Sequence, residues 1–156
     1  MVPNLSEGAQ HPDKILAYLA SAKLRKERSH AEGKACPTVL VVDDEETLAN
    51  TTAEILNLSG FCAFVAYDGK IALDLIAKLH PDILLTDVVM PGMNGVELAI
   101  EVRNSFPQAS IVLFSGQAGT KDILGKANEE GYSFELLAKP IHPLKLIEHL
   151  KNLAQK

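Results

Sequence analysis

Residues 38 to 79, TVLVVDDEETLANTTAEILNLSGFCAFVAYDGKIALDLIAKL, hold the pattern on which the fold turns. Thr38 to Val42 is a short, largely β-branched run that ends in acids, which reads as a buried strand rather than a helix. Leu48, Ile55 and Leu56 then recur at i, i+7 and i+8, a helical period that Gly60 closes. Phe61 to Tyr67 reads as a second strand. Asp68 stands where a cap is needed, ahead of Ala72, Leu75, Ile76 and Leu79 at i, i+3, i+4 and i+7.

The alternation continues to the C-terminus. The apolar strand DILLTD (Asp82 to Asp87) precedes a helix from Asn94 or Gly95 to about Ser105, and SIVLFS (Ser110 to Ser115) precedes a polar, Gly125-interrupted helix from Thr120 to Glu130. SFELLAK (Ser133 to Lys139) and a helix from about Pro143 to Ala154 complete five units. Strands that are continuously apolar belong in a sheet covered on both faces, and βα repetition at this spacing makes that sheet parallel. The right-handed crossover rule then favours a flavodoxin-like α/β fold: a doubly wound five-stranded parallel sheet, order 2-1-3-4-5, with five helices.

Upstream, residues 1 to 37 form an N-terminal extension and residues 38 to 156 the domain proper. Residues 1 to 10, with Pro3 and Gly8, read as a disordered lead. A helix is expected over 12–29, with Pro12 at its entry, Ile15, Leu16, Leu19 and Ala22 on one side, and the basic run KLRKER near its end. SHAEGKACP (Ser29 to Pro37) reads as a linker.

Composition narrows the classes. A chain of 156 residues, 47% hydrophobic and 22% charged, is about one globular domain, which excludes disorder, collagen and coiled coil. No apolar run nears the roughly 18 residues needed to cross a bilayer, and no secretory signal opens the chain, so a cytoplasmic protein without membrane contact is expected. The net charge of -5 divides unevenly, +2 over residues 1 to 37 and -7 over the rest. An acidic domain is not built for a phosphate backbone, so proteins, cations or small molecules are expected as partners and nucleic acid is not. Cys36 and Cys62 lack metal-ligand spacing and read as reduced thiols, Cys62 within a strand.

In a sheet of this order the working residues stand beyond the carboxyl ends of the strands, near the switch point between the first and third. Those positions hold Asp43 and Asp44 after the first strand, Asp87 after the third, Ser115 after the fourth and Lys139 after the fifth. Tyr67 and Asp68, ending the second, lie outside the cluster. Each alone has a bland reading: a turn or cap for the acids and the serine, surface decoration for the lysine. Jointly they give three carboxylates, a cation and a hydroxyl at one end of one sheet. Carboxylates about 4 to 5 Å apart repel by roughly 1 kcal/mol per pair in water and by more in a drier cleft, so the cluster needs cations. Lys139 supplies one; Mg²⁺, a hard ion that takes one or two carboxylates and keeps waters, suits as the other.

VLVVDDEE (Val39 to Glu46), DILLTDVVMPGMNGVEL (Asp82 to Leu98), IVLFSG (Ile111 to Gly116) and LLAKPIHP (Leu136 to Pro143) together resemble the receiver domain of two-component response regulators, of the stand-alone chemotaxis-regulator type, over residues 38 to about 154. The resemblance implies that Asp87 is the phosphoacceptor, that Asp43, Asp44, Asp87 and the backbone carbonyl of Val89 hold Mg²⁺, that Lys139 pairs with the phosphoryl group, that Ser115 swings toward it, and that the Lys139-Pro140 bond is cis. It implies a sensor histidine kinase or phosphotransfer protein as donor and a downstream protein as target, reached through the surface from Thr120 to Ala154. On this reading the chain is a monomer or weak homodimer and not a conventional enzyme, since it catalyses only its own phosphorylation and slow dephosphorylation. No effector follows Lys156, which suggests a stand-alone receiver or a phosphorelay intermediate.

The sequence departs from the family pattern at the switch. An aromatic residue usually stands three before the lysine, and here it is Leu136, which cannot report the switch as an aromatic would; Phe134 shares that strand face by parity and is a candidate substitute. Ile141, after the Lys-Pro pair, is a milder departure. Val89 and Gln117, two positions after Asp87 and Ser115, flank the approach of a hydrolytic water, and because Val89 has no group to orient that water, a long-lived phosphoform is expected. Two other readings compete: a phosphorylation-independent receiver-like binding module, and an aspartate-nucleophile phosphohydrolase. The latter carries its nucleophile after the first strand as D-x-D and needs a cap insertion, whereas this chain has an adjacent pair and no room for a cap. Dinucleotide and P-loop motifs are absent, and no phosphate loop for a flavin follows Val42.

Overall fold

The computed structural model describes residue 20, residues 23–25, 27–28 and 31–33, and residues 36–116 and 120–155. Strands β1 (Thr38–Val42), β2 (Cys62–Ala66), β3 (Ile83–Asp87), β4 (Ser110–Ser115) and β5 (Glu135–Ala138) alternate with helices α1 (Glu46–Leu58), α2 (Gly69–Leu79), α3 (Gly95–Ser105), α4 (Thr120–Glu129) and α5 (Pro143–Ala154). The strands form one parallel sheet in the order β2-β1-β3-β4-β5, the flavodoxin-like arrangement expected from the apolar runs. Every residue of β1, β2 and β3 is buried, which is why these segments carry no polar alternation.

Local chemistry sets the helix ends. α1 stops in a Schellman turn: Gly60 takes φ 97° and the Phe61 N–H reaches back to the Leu56 carbonyl at 3.1 Å. Asp68 caps α2 by accepting from the Ile71 N–H at 2.8 Å. Asn94 and Glu97 form a reciprocal capping box on α3. At α5 the His142 ring accepts from the Leu144 N–H, with Pro143 at the first helical position.

The sequence places Phe134 inside the fifth strand, but β5 begins at Glu135. The Phe134 ring instead stacks on Tyr132 at 6.1 Å and lies under the Arg103 guanidinium at 5.1 Å. These contacts hold it ahead of the strand, at the end of the sheet away from the clustered acids.

Most of the expected 12–29 helix lies outside the described residues. Residues 20, 23–25, 27–28 and 31 are helical, the last of them inside the segment read as linker, and Gly33 stands just beyond at φ 69°. Cys36 and Cys62 are not free thiols; they form a disulfide. Parallel pairing sets Thr38 opposite Cys62, and the Cys62 N–H donates to the Pro37 carbonyl at 2.9 Å, so the chain entering β1 passes beside Cys62 with the two cysteine Cα atoms 5.6 Å apart. A contact between residues 26 apart depends on strand register and has no signature in cysteine spacing.

Candidate phosphoacceptor and metal site

Parallel pairing of β1 with β3 brings their carboxyl ends together, and with them Asp43, Asp44 and Asp87. One oxygen from each of the three carboxylates lies within 4.8 Å of the others. Asp43 and Asp87 are buried and Asp44 is exposed, so the cluster opens to solvent on one side. An all-oxygen set of hard donors, open to water, fits a Mg²⁺ ion that retains part of its hydration shell. Val89 follows the buried Val88 and is itself half-buried against the core.

The two buried carboxylates are oriented by backbone. Asp43 Oδ1 accepts from the Glu45 N–H at 3.0 Å, and Asp87 Oδ1 accepts from the Val88 N–H at 3.0 Å. Lys139 enters from β5, its Nζ 3.0 Å from Asp43 Oδ2 and 3.4 Å from Asp87 Oδ1. The Lys139-Pro140 peptide bond is cis. Burial pushes the Asp87 carboxyl above its ordinary value; the Lys139 charge opposes this, the Asp43 charge adds to it, and hydrogen bonds from Lys139 and Val88 oppose it. For Lys139, burial alone would depress the ammonium, but the hydrogen bond and charge of Asp43, followed by those of Asp87, outweigh it and raise the pKa.

Ser115 closes β4, and its hydroxyl lies 2.6 Å from that of Thr120, the first residue of α4; both are buried. Gln117 lies outside the described residues. Leu136 pairs with Leu113 in the sheet and is 41% exposed.

Three neighbours escape sequence reading. A Cβ at Gly95 would stand 2.0 Å from the Asp87 carbonyl oxygen, and the Gly95 N–H donates to the Val88 carbonyl at 2.8 Å, so α3 begins in direct backbone contact with the loop that carries the acid. At Gly116 a Cβ would meet the Lys139 side chain at 3.2 Å. Glycines in such loops signal turns; only the folded chain decides which backbone they let approach. Thr120 is the third, a helix-start residue whose hydroxyl turns inward.

The fold and this acid-lysine end define a class. A family model of the response regulator receiver domain matches residues 39–151, and the chain belongs to that family. Solved structures agree: a putative response regulator from Chloroflexus aurantiacus is 31% identical over 78% of this chain and 100% of its own, with a TM-score of 0.67. The chemotaxis protein CheY4 of Vibrio cholerae is 26% identical over 76% and 99%, also at 0.67. The signal receiver domain of an HD domain-containing protein from Pseudomonas fluorescens is 25% identical over 78% and 96%, at 0.70. The chain is thus a CheY-like receiver domain of two-component signalling.

Proposed function

We propose that this receiver accepts a phosphoryl group on Asp87 from a histidine kinase or phosphotransfer protein, in a Mg²⁺-dependent step, and passes the signal to a protein target. The observation that carries this reading is the convergence of Asp43, Asp44 and Asp87 within 4.8 Å with Lys139 Nζ 3.0 and 3.4 Å from two of them. An Asp87 oxygen attacks the phosphorus of a phosphohistidine in line, an O–P bond forms, and the N–P bond breaks with its electron pair returning to the imidazole. Asp43, Asp44, Asp87 and the Val89 carbonyl would hold Mg²⁺, whose contribution when bound is to neutralise charge on the phosphoryl oxygens. Lys139 does the same from the β5 side, and little besides positioning and charge is required of the protein.

The product carries close to two negative charges and three acceptor oxygens where one carboxylate stood. Ser115 then has two claimants, the phosphoryl group and the Thr120 hydroxyl at the head of α4, and a shift between them biases the surface from α4 to α5. With Leu136 in place of an aromatic, that surface responds without a rotating ring beside Ser115. Val89 carries no group to orient an attacking water, so the phosphoform decays slowly. The donor chemistry belongs in the cytoplasm, and turnover amounts to self-modification rather than enzymatic catalysis.

The test is incubation with Mg²⁺ and acetyl phosphate or a phosphoramidate, followed by intact mass. The expected result is one added phosphoryl group, lost with EDTA and in Asp87→Asn. Unaltered mass in the parent chain, or equal labelling of Asp87→Asn, would sink the reading.

A further inference from the structure

Lys139 directly follows β5, and the acids it meets stand beyond β1 and at the end of β3, so its side chain must cross β4 to reach them. The register fixes what it crosses. Asp87 is paired with Phe114, and Phe114 with Leu137. Partners in register on parallel strands share a face, and residues two apart on one strand share it as well. Asp87, Phe114 and Leu137 therefore lie toward one face and Ser115 toward the other, and the Lys139 N–H carries the ladder one residue past β5 by donating to the Ser115 carbonyl at 3.0 Å, which puts Lys139 on the face of Leu137. The Lys139 ammonium sits over the Phe114 ring, 5.0 Å from its centroid.

We infer that Phe114 is a positioning residue for the lysine: its π face is the floor on which the ammonium rests between β5 and the carboxylates. The inference deepens the phosphoacceptor reading and rests on it for its kinetic consequence.

The ring is well placed for this. Phe114 is half-buried and forms a wall of a cleft of about 510 Å³ that runs from Asp43 and Lys139 to Leu48, Ile55 and Leu146. On that side the ammonium faces apolar surface instead of carboxylate oxygen. An aromatic face attracts a cation through its quadrupole, whereas an aliphatic floor of similar size would not. Lys139 is thereby held from both sides, by Asp43 and Asp87 above and the ring below. Gly116, whose Cβ would press on the Lys139 side chain at 3.2 Å, keeps the passage clear. A long, four-carbon side chain fixed in this way loses its rotamer freedom before the phosphodonor arrives, so less remains to be ordered at the moment of transfer.

The experiment compares Phe114→Leu, Phe114→Met and Phe114→Tyr with the parent full-length chain. Initial rates of phosphorylation by acetyl phosphate at saturating Mg²⁺ are read by intact mass, and the Lys139 ε-methylene resonances by NMR. Leu and Met keep apolar volume but remove the π face, and their rates are expected to fall about three- to tenfold. Tyr keeps the face and should stay within about twofold. Mg²⁺ affinity, set by the carboxylates, should be unchanged in all three, which a general loosening of the site would not allow. In the parent the ε-methylene resonances should carry an upfield ring-current shift that Leu and Met abolish. Met and Leu variants that react at the parental rate would overturn the inference, as would a well-folded Tyr variant as slow as they are. Failure of the parent to accept phosphate would defeat the functional reading instead; the ring-current shift then decides the lysine-ring contact on its own, and its absence from the parent overturns the inference in either case.

Discussion

At the β2 edge of the sheet all five strand residues are buried, whereas at the β5 edge three of the four are exposed. Among the described residues both strands have only one neighbour, so topology alone would leave them equally open. The difference lies in what the chain lays over each. Beside β2 the Asn57 side chain behaves like a short piece of strand: its Oδ1 accepts from the Ala63 N–H at 2.9 Å and its Nδ2 donates to the Ala63 carbonyl at 3.4 Å. Arg25, from the helical part of the extension, donates to Asn57 Oδ1 and to the Ala63 carbonyl and lies over the Phe64 ring at 5.0 Å. The Cys36–Cys62 disulfide ties the end of the extension to the first residue of β2. The β5 edge has no such cover among the described residues; Leu136 stands 41% exposed, and Leu144 at the start of α5 68%. An unpaired edge invites strand addition, and here one edge is closed by the protein's own chain while the other stays open on the side proposed to carry the output.

The largest expected break in this contrast comes from the disulfide. Its loop spans 26 residues, and chain entropy alone puts its contribution at about 3.5 kcal/mol. Cys36→Ser with Cys62→Ser, or reduction of the parent, should lower the denaturant midpoint accordingly and raise amide exchange at Ala63 and Val65 while leaving Leu136 unaffected. Equal stability with and without the bond would mean that other contacts hold this edge.

Asn57→Ala should cost about 1 to 3 kcal/mol, because it strips a partner from a peptide that has little access to water. On the open edge Leu136→Thr should change stability by less than about 0.5 kcal/mol. Chemical denaturation of the two variants side by side checks the asymmetry; comparable losses would erase it.

A subtler effect lies between the edges, at Asp87. Its carboxyl titrates above its ordinary value, chiefly because it is buried, so the folded protein holds that proton more tightly than the unfolded chain does. The stability this gives is present in full below the unfolded pKa and is lost as pH rises through the folded one. Without metal, Asp87→Asn should therefore be more stable than the parent at neutral pH, with the advantage fading in acid. Added Mg²⁺ should stabilise the parent and not the variant. A parent at least as stable as the variant in EDTA at pH 7 would contradict this.

What could be read from residues follows from where the physics is local. Apolar runs of strand length, helical periods and capping residues such as Asp68 act within a few positions, and they led to the strand order as well as to the acids and lysine at the strand ends. Phe134 shows the limit, since parity within a strand cannot say where the strand starts; stacking on Tyr132 and the Arg103 guanidinium decided that. Phe114 reads in sequence as one more apolar strand residue, and only the register of β3, β4 and β5 puts it under a lysine.

The sequence by itself determined five βα units with Asp43, Asp44, Asp87, Ser115 and Lys139 at the strand ends, because each of those features is written in short-range pattern, and the resemblance of its motifs to the receiver family supplied the class. The tertiary structure alone decided that Cys36 meets Cys62, that Asn57 and Arg25 close one edge, and that Gly95 and Phe114 shape the floor around Asp87 and Lys139. Those contacts join residues remote in the chain, and no local periodicity encodes a distance that exists only after the sheet has formed.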